Sequence, residues 1–217
     1  MKSLWLNKKN ENNKLILFLN GWAMNETAVS NLQFKDYDVL MVNDYSSIES
    51  DFFSNLLNNE ALKKYSQKYL VCWSMGVYAA NLYCDFLSKF DKKIAINGTT
   101  KIIDDEFGIP KRIYKVTVKF LNEDSCDKFI KNMFDNGKIN PNIKITKSLD
   151  ELKNELISIQ NFKIEKELTF DKAIISLEDR IIPSKNQIAF WENKTKIQTI
   201  NSTHCPFECF KSWDELL

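Results

Sequence analysis

Lys68 to Ala80, reading K-Y-L-V-C-W-S-M-G-V-Y-A-A, constrains the fold more than any other stretch of the chain. Tyr69 to Trp73 is a short, unbroken run of apolar, β-branched and aromatic residues, which suits a strand buried on both faces. Gly76 to Ala80, continued through Leu82 to Leu87, suits a helix with small residues where it first packs. Ser74 stands at the joint. Serine is favoured there as a helix N-cap. It is also the residue that the sharp strand-to-helix turn G-x-S-x-G exposes as a nucleophile. That turn wants small residues two before and two after the serine. Gly76 meets the second demand, and Cys72 stands at the first, where side-chain volume decides whether it fits.

The remainder of the chain decides between these readings. Trp5 and Leu6 suit a short edge strand, and Asn7 to Asn13 a hairpin loop. Lys14 to Leu19 is the next buried strand; it ends in the glycine turn Asn20-Gly21-Trp22-Ala23-Met24, after which Asn25 can cap a helix reaching about Leu32. Tyr37 to Val42 reads as a strand. Ile48 to Lys64 shows helical spacing at Phe52, Phe53, Leu56, Leu57 and Leu62. Lys93 to Ile96 is a further strand and ends at Asn97-Gly98. From Thr99 to about Glu167 the pattern changes to a turn at Phe107-Gly108-Ile109-Pro110 and helices over Ser125–Phe134 and Leu149–Ile159, interrupted by Asn136-Gly137 and Asn140-Pro141. Ala173 to Leu177 is again a strand, Pro183 to Trp191 a helix, and Lys196 to Ile200 a last strand before a loop and a closing helix.

Strands alternating with helices imply an α/β fold, with a mostly parallel central sheet and helices on both faces. The expected division is a core of residues 1–98 and 168–217 carrying a helical cap insertion over 99–167. Ligands bind such sheets outside the carboxyl ends of the strands. Gly21-Trp22, Ser74 and Asn97-Gly98 all fall at such ends and should converge.

Charge narrows the partners. Thirty basic residues face 29 acidic ones, a net charge of +1, so no global field points to nucleic acid or a membrane. Leu15 to Leu19 is far too short to span a bilayer, and Met1 to Leu6 lacks the apolar core of a signal peptide. The five cysteines are an odd set without framework spacing, which fits free thiols and a cytoplasmic location. Cys205 and Cys209 beside His204 lack the second close-spaced pair that a structural metal site uses, so no metal is expected.

His204 is the only histidine. It sits in the loop after the last strand, where a general base can reach Ser74, whose hydroxyl needs one to attack an ester. Read alone, it is better taken as an ordinary surface or core histidine. The chain order Ser74, Asp179, His204 matches a serine, acid, histidine set, and each member follows an expected strand. Asp179 would orient the imidazole; otherwise it is a turn-capping aspartate. Glu178 and, more distantly, Asp124 are alternative acids. The oxyanion expected of such chemistry needs backbone N–H donors, one from Met75 and one from Trp22, with Gly21 allowing close approach. The Trp22 indole can at the same time be a core aromatic.

These residues resemble the α/β-hydrolase fold and, more narrowly, the BioG-type pimeloyl-[acyl-carrier protein] methyl ester esterases. The resemblance covers nearly the whole chain. It rests on Phe18 to Met24, where Asn-Gly-Trp replaces the His-Gly of many esterases, on Trp73 to Gly76, on Ala95 to Thr99, and on Gly108 to Pro110. Asp179 to Pro183, Asn186-Gln187, Phe190-Trp191 and His204 to Phe207 complete it. It implies a serine carboxylesterase that removes the methyl group of pimeloyl-carrier-protein ester for biotin synthesis, without cofactor or metal. The implied partner is an acidic acyl carrier protein, and a monomer is the default expectation. Lys111 and Arg112, followed by Lys115, Lys128, Lys131 and Lys138, could form a basic docking rim or simply a solvated face. Phe107, Ile109, Phe129 and Met133 could line a channel for the acyl chain or pack as ordinary helix core. Two rival readings stand beside the carrier-ester esterase: a broad-specificity carboxylesterase or thioesterase for small molecules, and an inactive hydrolase fold used as a binding module.

Overall fold

The structure, a computed structural model, describes residues 1–9, 11–47, 52–53, 55, 60–134 and 143–217. Of the sequence expectations, Ile48, Leu56, Leu57, Asn136-Gly137, Lys138 and Asn140-Pro141 lie outside the described residues.

Seven strands form one sheet: β1 (Lys2–Asn7), β2 (Lys14–Leu19), β3 (Tyr37–Asn43), β4 (Gln67–Trp73), β5 (Lys92–Ile96), β6 (Lys172–Ser176) and β7 (Lys196–Ile200). Their order is β1-β3-β2-β4-β5-β6-β7. Among the described residues only β1 runs antiparallel, against β3, and the other pairings are parallel. The helices are α1 (Glu60–Lys63), α2 (Met75–Ala80), α3 (Cys84–Leu87), α4 (Lys111–Lys119), α5 (Glu123–Met133), α6 (Leu149–Asn161) and α7 (Ser184–Trp191). Among the described residues no helix is long and apolar enough to cross a membrane.

Alternate residues of the same strands feed opposite faces of the sheet, as the two-residue period of a strand requires. Ile16, Phe18, Val71, Trp73, Ile94 and Ile96 pack on one face with Met133, Leu152, Leu156 and Trp213. Leu15, Leu17, Leu19, Leu70, Cys72 and Ala95 pack on the other with Val77, Leu87, Phe190 and Trp191. Both faces being covered explains why the central strands read as unbroken apolar runs. It also explains why Cys72 is tolerated in the turn: its side chain is fully buried on the face opposite Trp73.

The elements differ from the sequence expectations in four places. The helix after Asn25 is a short 3₁₀ turn, Glu26–Val29, capped by the Asn25 side chain as expected. It stops because Gln33 must extend to bond Lys211 and Trp213. The helix after Ser74 breaks after Ala80. Asn81 is buried there, its amide donating to the Val77 and Tyr78 carbonyls and its oxygen accepting from Leu168 N–H. Helix α4 was not legible in the sequence, since Ile113, Val116 and Phe120 are exposed and only Tyr114 is fully buried. The closing helix is instead two 3₁₀ turns, Phe207–Cys209 and Trp213–Leu216. Phe207, Phe210, Trp213 and Leu216 recur every third residue and are all buried, the spacing that a 3₁₀ turn keeps on one side.

Candidate active site

The strand-to-helix joint fixes Ser74 in a strained backbone, with φ 54° and ψ −120°. Such a positive φ is costly for a residue with a Cβ and persists only where its surroundings impose it. Here Ser74 N–H donates to the Ile96 carbonyl at 2.8 Å, and the Ser74 carbonyl accepts from Val77 N–H at 3.0 Å. Two glycines make room for the turn. A Cβ on Gly76 would lie 2.2 Å from the Leu19 carbonyl oxygen, and one on Gly98 would lie 2.4 Å from that of Ser74. Both contacts are backbone, so neither neighbour can yield cheaply.

The loop after β7 brings His204 to the same end of the sheet. Its Nε2 lies 2.9 Å from Ser74 Oγ, and its Nδ1 lies 2.8 Å from Asp179 Oδ2. Both ring nitrogens are therefore engaged, which leaves neither for a metal. Among the described residues no group of three or more His, Cys, Asp or Glu side chains could hold one. Asp179 Oδ1 accepts from the N–H groups of Ile181 (2.8 Å) and Ile182 (2.9 Å), and Oδ2 accepts also from Gln187 Nε2 at 2.8 Å. Glu178, its neighbour, is exposed, and its N–H bonds the Ser202 carbonyl at 3.0 Å. Asp124 is exposed on α5. Of the three acids Asp179 alone meets the imidazole, and it does so from the turn that follows β6.

Asn97 is the residue whose role sequence reasoning missed. It carries a left-handed φ of 44° at the end of β5. Its Nδ2 donates to Ser176 Oγ (2.8 Å) and to the carbonyls of His204 (2.9 Å) and Thr203 (3.2 Å), while its Oδ1 accepts from Ser176 N–H at 2.7 Å. The His204 carbonyl also accepts from the Trp73 indole at 2.9 Å. Helix α5 completes the clamp, the Met133 carbonyl accepting from Thr203 Oγ1 (2.7 Å) and Cys205 N–H (3.1 Å). The signal available in the sequence was Asn97-Gly98 at a strand end, where asparagine tolerates the left-handed region.

Of the expected oxyanion donors, Met75 opens α2 directly after Ser74. Trp22 follows Gly21, on which a Cβ would lie 3.5 Å from Ser74 Cβ, so the turn after β2 abuts the serine. The Trp22 indole points outward from the sheet, donating to the Leu152 carbonyl at 3.1 Å and meeting Phe129 edge to face at 4.9 Å. Phe129 and Met133 thus lie on the serine's side of the molecule, with Ile109. Phe107 does not: it packs against Phe190 on the opposite cluster. The reason is local, since Ile103 and Ile109 bridge and the intervening chain doubles back. Lys111 and Arg112 are exposed at the start of α4, Lys111 lying 3.8 Å from Asp105. The whole site is enclosed: Ser74 is 7% exposed and His204 1%.

A hydroxyl, an imidazole and a carboxylate in one hydrogen-bonded line can carry out nucleophilic acyl transfer. Comparison with known proteins agrees with that chemistry. Residues 1–216 match the family described as pimeloyl-ACP methyl esterase BioG. A malonyl-[acyl-carrier protein] O-methyltransferase of Bacteroides fragilis is 36% identical over 197 residues, 87% of this chain but 39% of that one. The chain therefore spans about two fifths of that curated relative's length. The selenomethionine crystal structure of BioG from Haemophilus influenzae superposes with a TM-score of 0.85 at 29% identity, covering 100% of this chain and 99% of that one. An esterase from Exiguobacterium antarcticum, 14% identical, shares the α/β-hydrolase fold with a TM-score of 0.68, over 99% of this chain and 89% of that one.

Proposed function

The chain belongs to the BioG family of pimeloyl-ACP methyl esterases, and from that premise we propose that it is a serine esterase releasing methanol from a pimeloyl-[acyl-carrier protein] methyl ester in biotin synthesis. The observation that carries the reading is the continuous contact of Ser74 Oγ, the His204 ring and Asp179 Oδ2. Ser74 attacks the methyl-ester carbonyl while His204 Nε2 takes the hydroxyl proton. The proton passes to the leaving methoxide, methanol departs and an acyl-serine remains. Water, deprotonated by the same imidazole, then attacks the acyl-serine, and the proton returns to Ser74 Oγ as the free acid leaves. Asp179 holds the imidazole with Nδ1–H toward itself. The backbone N–H groups of Met75 and Trp22 stabilise the developing oxyanion. Neither step calls for a metal or cofactor.

The carrier's own thioester is intrinsically reactive and must survive, so selectivity rests on which end of the chain reaches Ser74. Residues 99–167 are the element suited to that task, and we assign them as the cap. Helix α5 lies against both Trp22 and the His204 loop through Phe129 and Met133. The enclosed serine fits a long acyl chain threaded past these side chains better than a site open to any small ester. Lys111 and Arg112 begin an exposed helix with no acidic residue, K-R-I-Y-K-V-T-V-K, which suits an acidic carrier protein.

The test is hydrolysis of carrier-bound methyl pimelate by the purified protein, followed as methanol release, against Ser74→Ala and against free dimethyl pimelate. The expected result is turnover by the native protein, preference for the carrier-bound ester, and none by the variant. Growth rescue of a biotin auxotroph lacking its own esterase gives the same answer in cells. Equal turnover of free and carrier-bound esters would favour the broad-specificity reading instead.

A further inference from the structure

We propose that Gln187 is a positioning residue that holds the Asp179 carboxylate in the plane that His204 requires. Gln187 lies in the first turns of α7 and is fully buried. One Nε2 hydrogen goes to Asp179 Oδ2 at 2.8 Å and the other to the Ile182 carbonyl at 2.8 Å. Both amide hydrogens are thereby committed, which fixes the orientation of the group. A flipped amide would set its oxygen against the carboxylate. The arrangement carries a cost: Gln187 Oε1 is buried without a hydrogen-bond partner among the described residues. A buried amide oxygen left unpaired is destabilising, and a leucine or methionine would fill the same volume without that defect. The amide is therefore poorly explained as packing and well explained by what its nitrogen does.

What the nitrogen does follows from the other contacts of Asp179. The N–H groups of Ile181 and Ile182 both bond Oδ1, so they pin one oxygen and leave the carboxylate plane able to turn about it. Oδ2, the oxygen that receives His204 Nδ1, is held on the protein side by Gln187. Asn186, its neighbour, anchors the same turn of α7 through the Gly108 and Asp105 carbonyls at 2.9 and 3.2 Å. The Asn186-Gln187 pair thus ties the acid to the beginning of residues 99–167, where no chemistry takes place.

The inference rests on the esterase reading, and its test separates the two. Gln187→Met and Gln187→Leu in the whole protein remove the donor and the orphaned oxygen together. Removal of the unpaired oxygen offsets part of the cost of the two hydrogen bonds lost to Asp179 and the Ile182 carbonyl, so folded variants with thermal midpoints close to the native one are expected. The low-field proton resonance of the His204 Nδ1–H, unambiguous because the chain has one histidine, should broaden or move in both variants. Ester turnover should fall about tenfold in kcat at unchanged KM, the scale of one lost hydrogen bond to a charged group. Unchanged resonance and unchanged kcat in folded variants would overturn the proposal. So would failure of both variants to fold, which would make Gln187 a structural residue. A native protein that hydrolyses no ester would end the esterase reading, and the resonance would still decide whether Gln187 positions the pair.

Discussion

His204 Nε2 lies 2.9 Å from Ser74 Oγ although 130 residues separate the two. Neither residue is held by its own segment alone. Ser74 depends on the Ile96 carbonyl and the room left by Gly76 and Gly98, and His204 on Asn97, Trp73 and Met133. Because the pair acts as a unit, its members should not contribute additively. Ser74→Ala and His204→Ala should each lower kcat by on the order of 10⁴–10⁶, and the double variant should be no worse than either. Additive losses in kcat would mean that the hydroxyl and the ring work independently.

Asn97 offers a sharper test of how the histidine loop is held. Asn97→Ala keeps a Cβ at φ 44° and removes the donor to the His204, Thr203 and Ser176 oxygens. Asn97→Gly relieves the backbone strain but loses the same donor. Both should lower kcat strongly, with the glycine variant the more stable of the two in thermal denaturation. Comparable activity in Asn97→Gly and native protein would show that Trp73 and Met133 suffice to place the imidazole.

Much of this arrangement is legible in the sequence because it follows from short-range rules. An unbroken apolar run, a serine and a glycine two residues on specify a strand, a tight turn and a helix without reference to anything distant. His204 is legible because it is alone, and Asp179 because it lies in the turn after an apolar strand. What stays hidden depends on partners from other segments. The worth of Asn97 lies in three oxygens contributed by Ser176, Thr203 and His204, and that of Gln187 in the Asp179 carboxylate and the Ile182 carbonyl. Which of its two open readings Phe107 takes stays hidden, because an apolar residue in a turn does not say which face of a sheet the turn will choose. Helix α4 is hard to read because the face marked by Ile113, Val116 and Phe120 is exposed and Tyr114 is its one fully buried residue, so no apolar stripe facing the core announces it.

That same helix leads to a prediction about the carrier. Ile113, Val116 and Phe120 are 55, 49 and 58% exposed and, at intervals of three and four, share one face. Arg112, Lys115 and Lys119 are exposed beside them. Arg112→Glu should raise KM for the carrier-bound ester severalfold and make it more salt-sensitive, sparing a small free ester. Equal losses on both substrates would move docking away from α4.

The thiols should separate by burial. Burial pushes the Cys72 thiol far above its ordinary value and that of Cys205 up to about 12, and the thiolate is the reactive form. Cys209 is exposed. Alkylation of native protein at pH 8, read by mass spectrometry, should modify Cys209 first and reach Cys72 and Cys205 only at the rate of unfolding. Rapid labelling of Cys205 would reveal that the loop beside His204 opens in the native state.

Opposed titrations at the foot of α6 should shape stability against pH. Lys147 Nζ lies 2.7 Å from Glu155 and 3.7 Å from Asp44, and Glu155 also accepts from Tyr45 N–H at 3.0 Å. Burial lifts the Glu155 pKa above its ordinary 4.5, outweighing the pull of Lys147 and the Tyr45 N–H. Burial also pushes Asp44 upward, but Ser46, Lys147 and Lys2 prevail and bring it from 3.8 to about 2. Folded Glu155 therefore holds its proton where the unfolded chain has lost it, so its contribution to stability falls as pH rises above 4.5. Folded Asp44 is deprotonated where the unfolded chain is not, so its contribution is present above 3.8 and is lost as pH falls toward 2. Thermal midpoints measured from pH 2 to 8 should show Glu155→Gln gaining on the native protein as pH rises past 4.5. Asp44→Asn should lose least, relative to the native protein, at the acid end. A Glu155→Gln profile that runs parallel to the native one above pH 4.5 would mean that α6 is seated without paying for a buried charge.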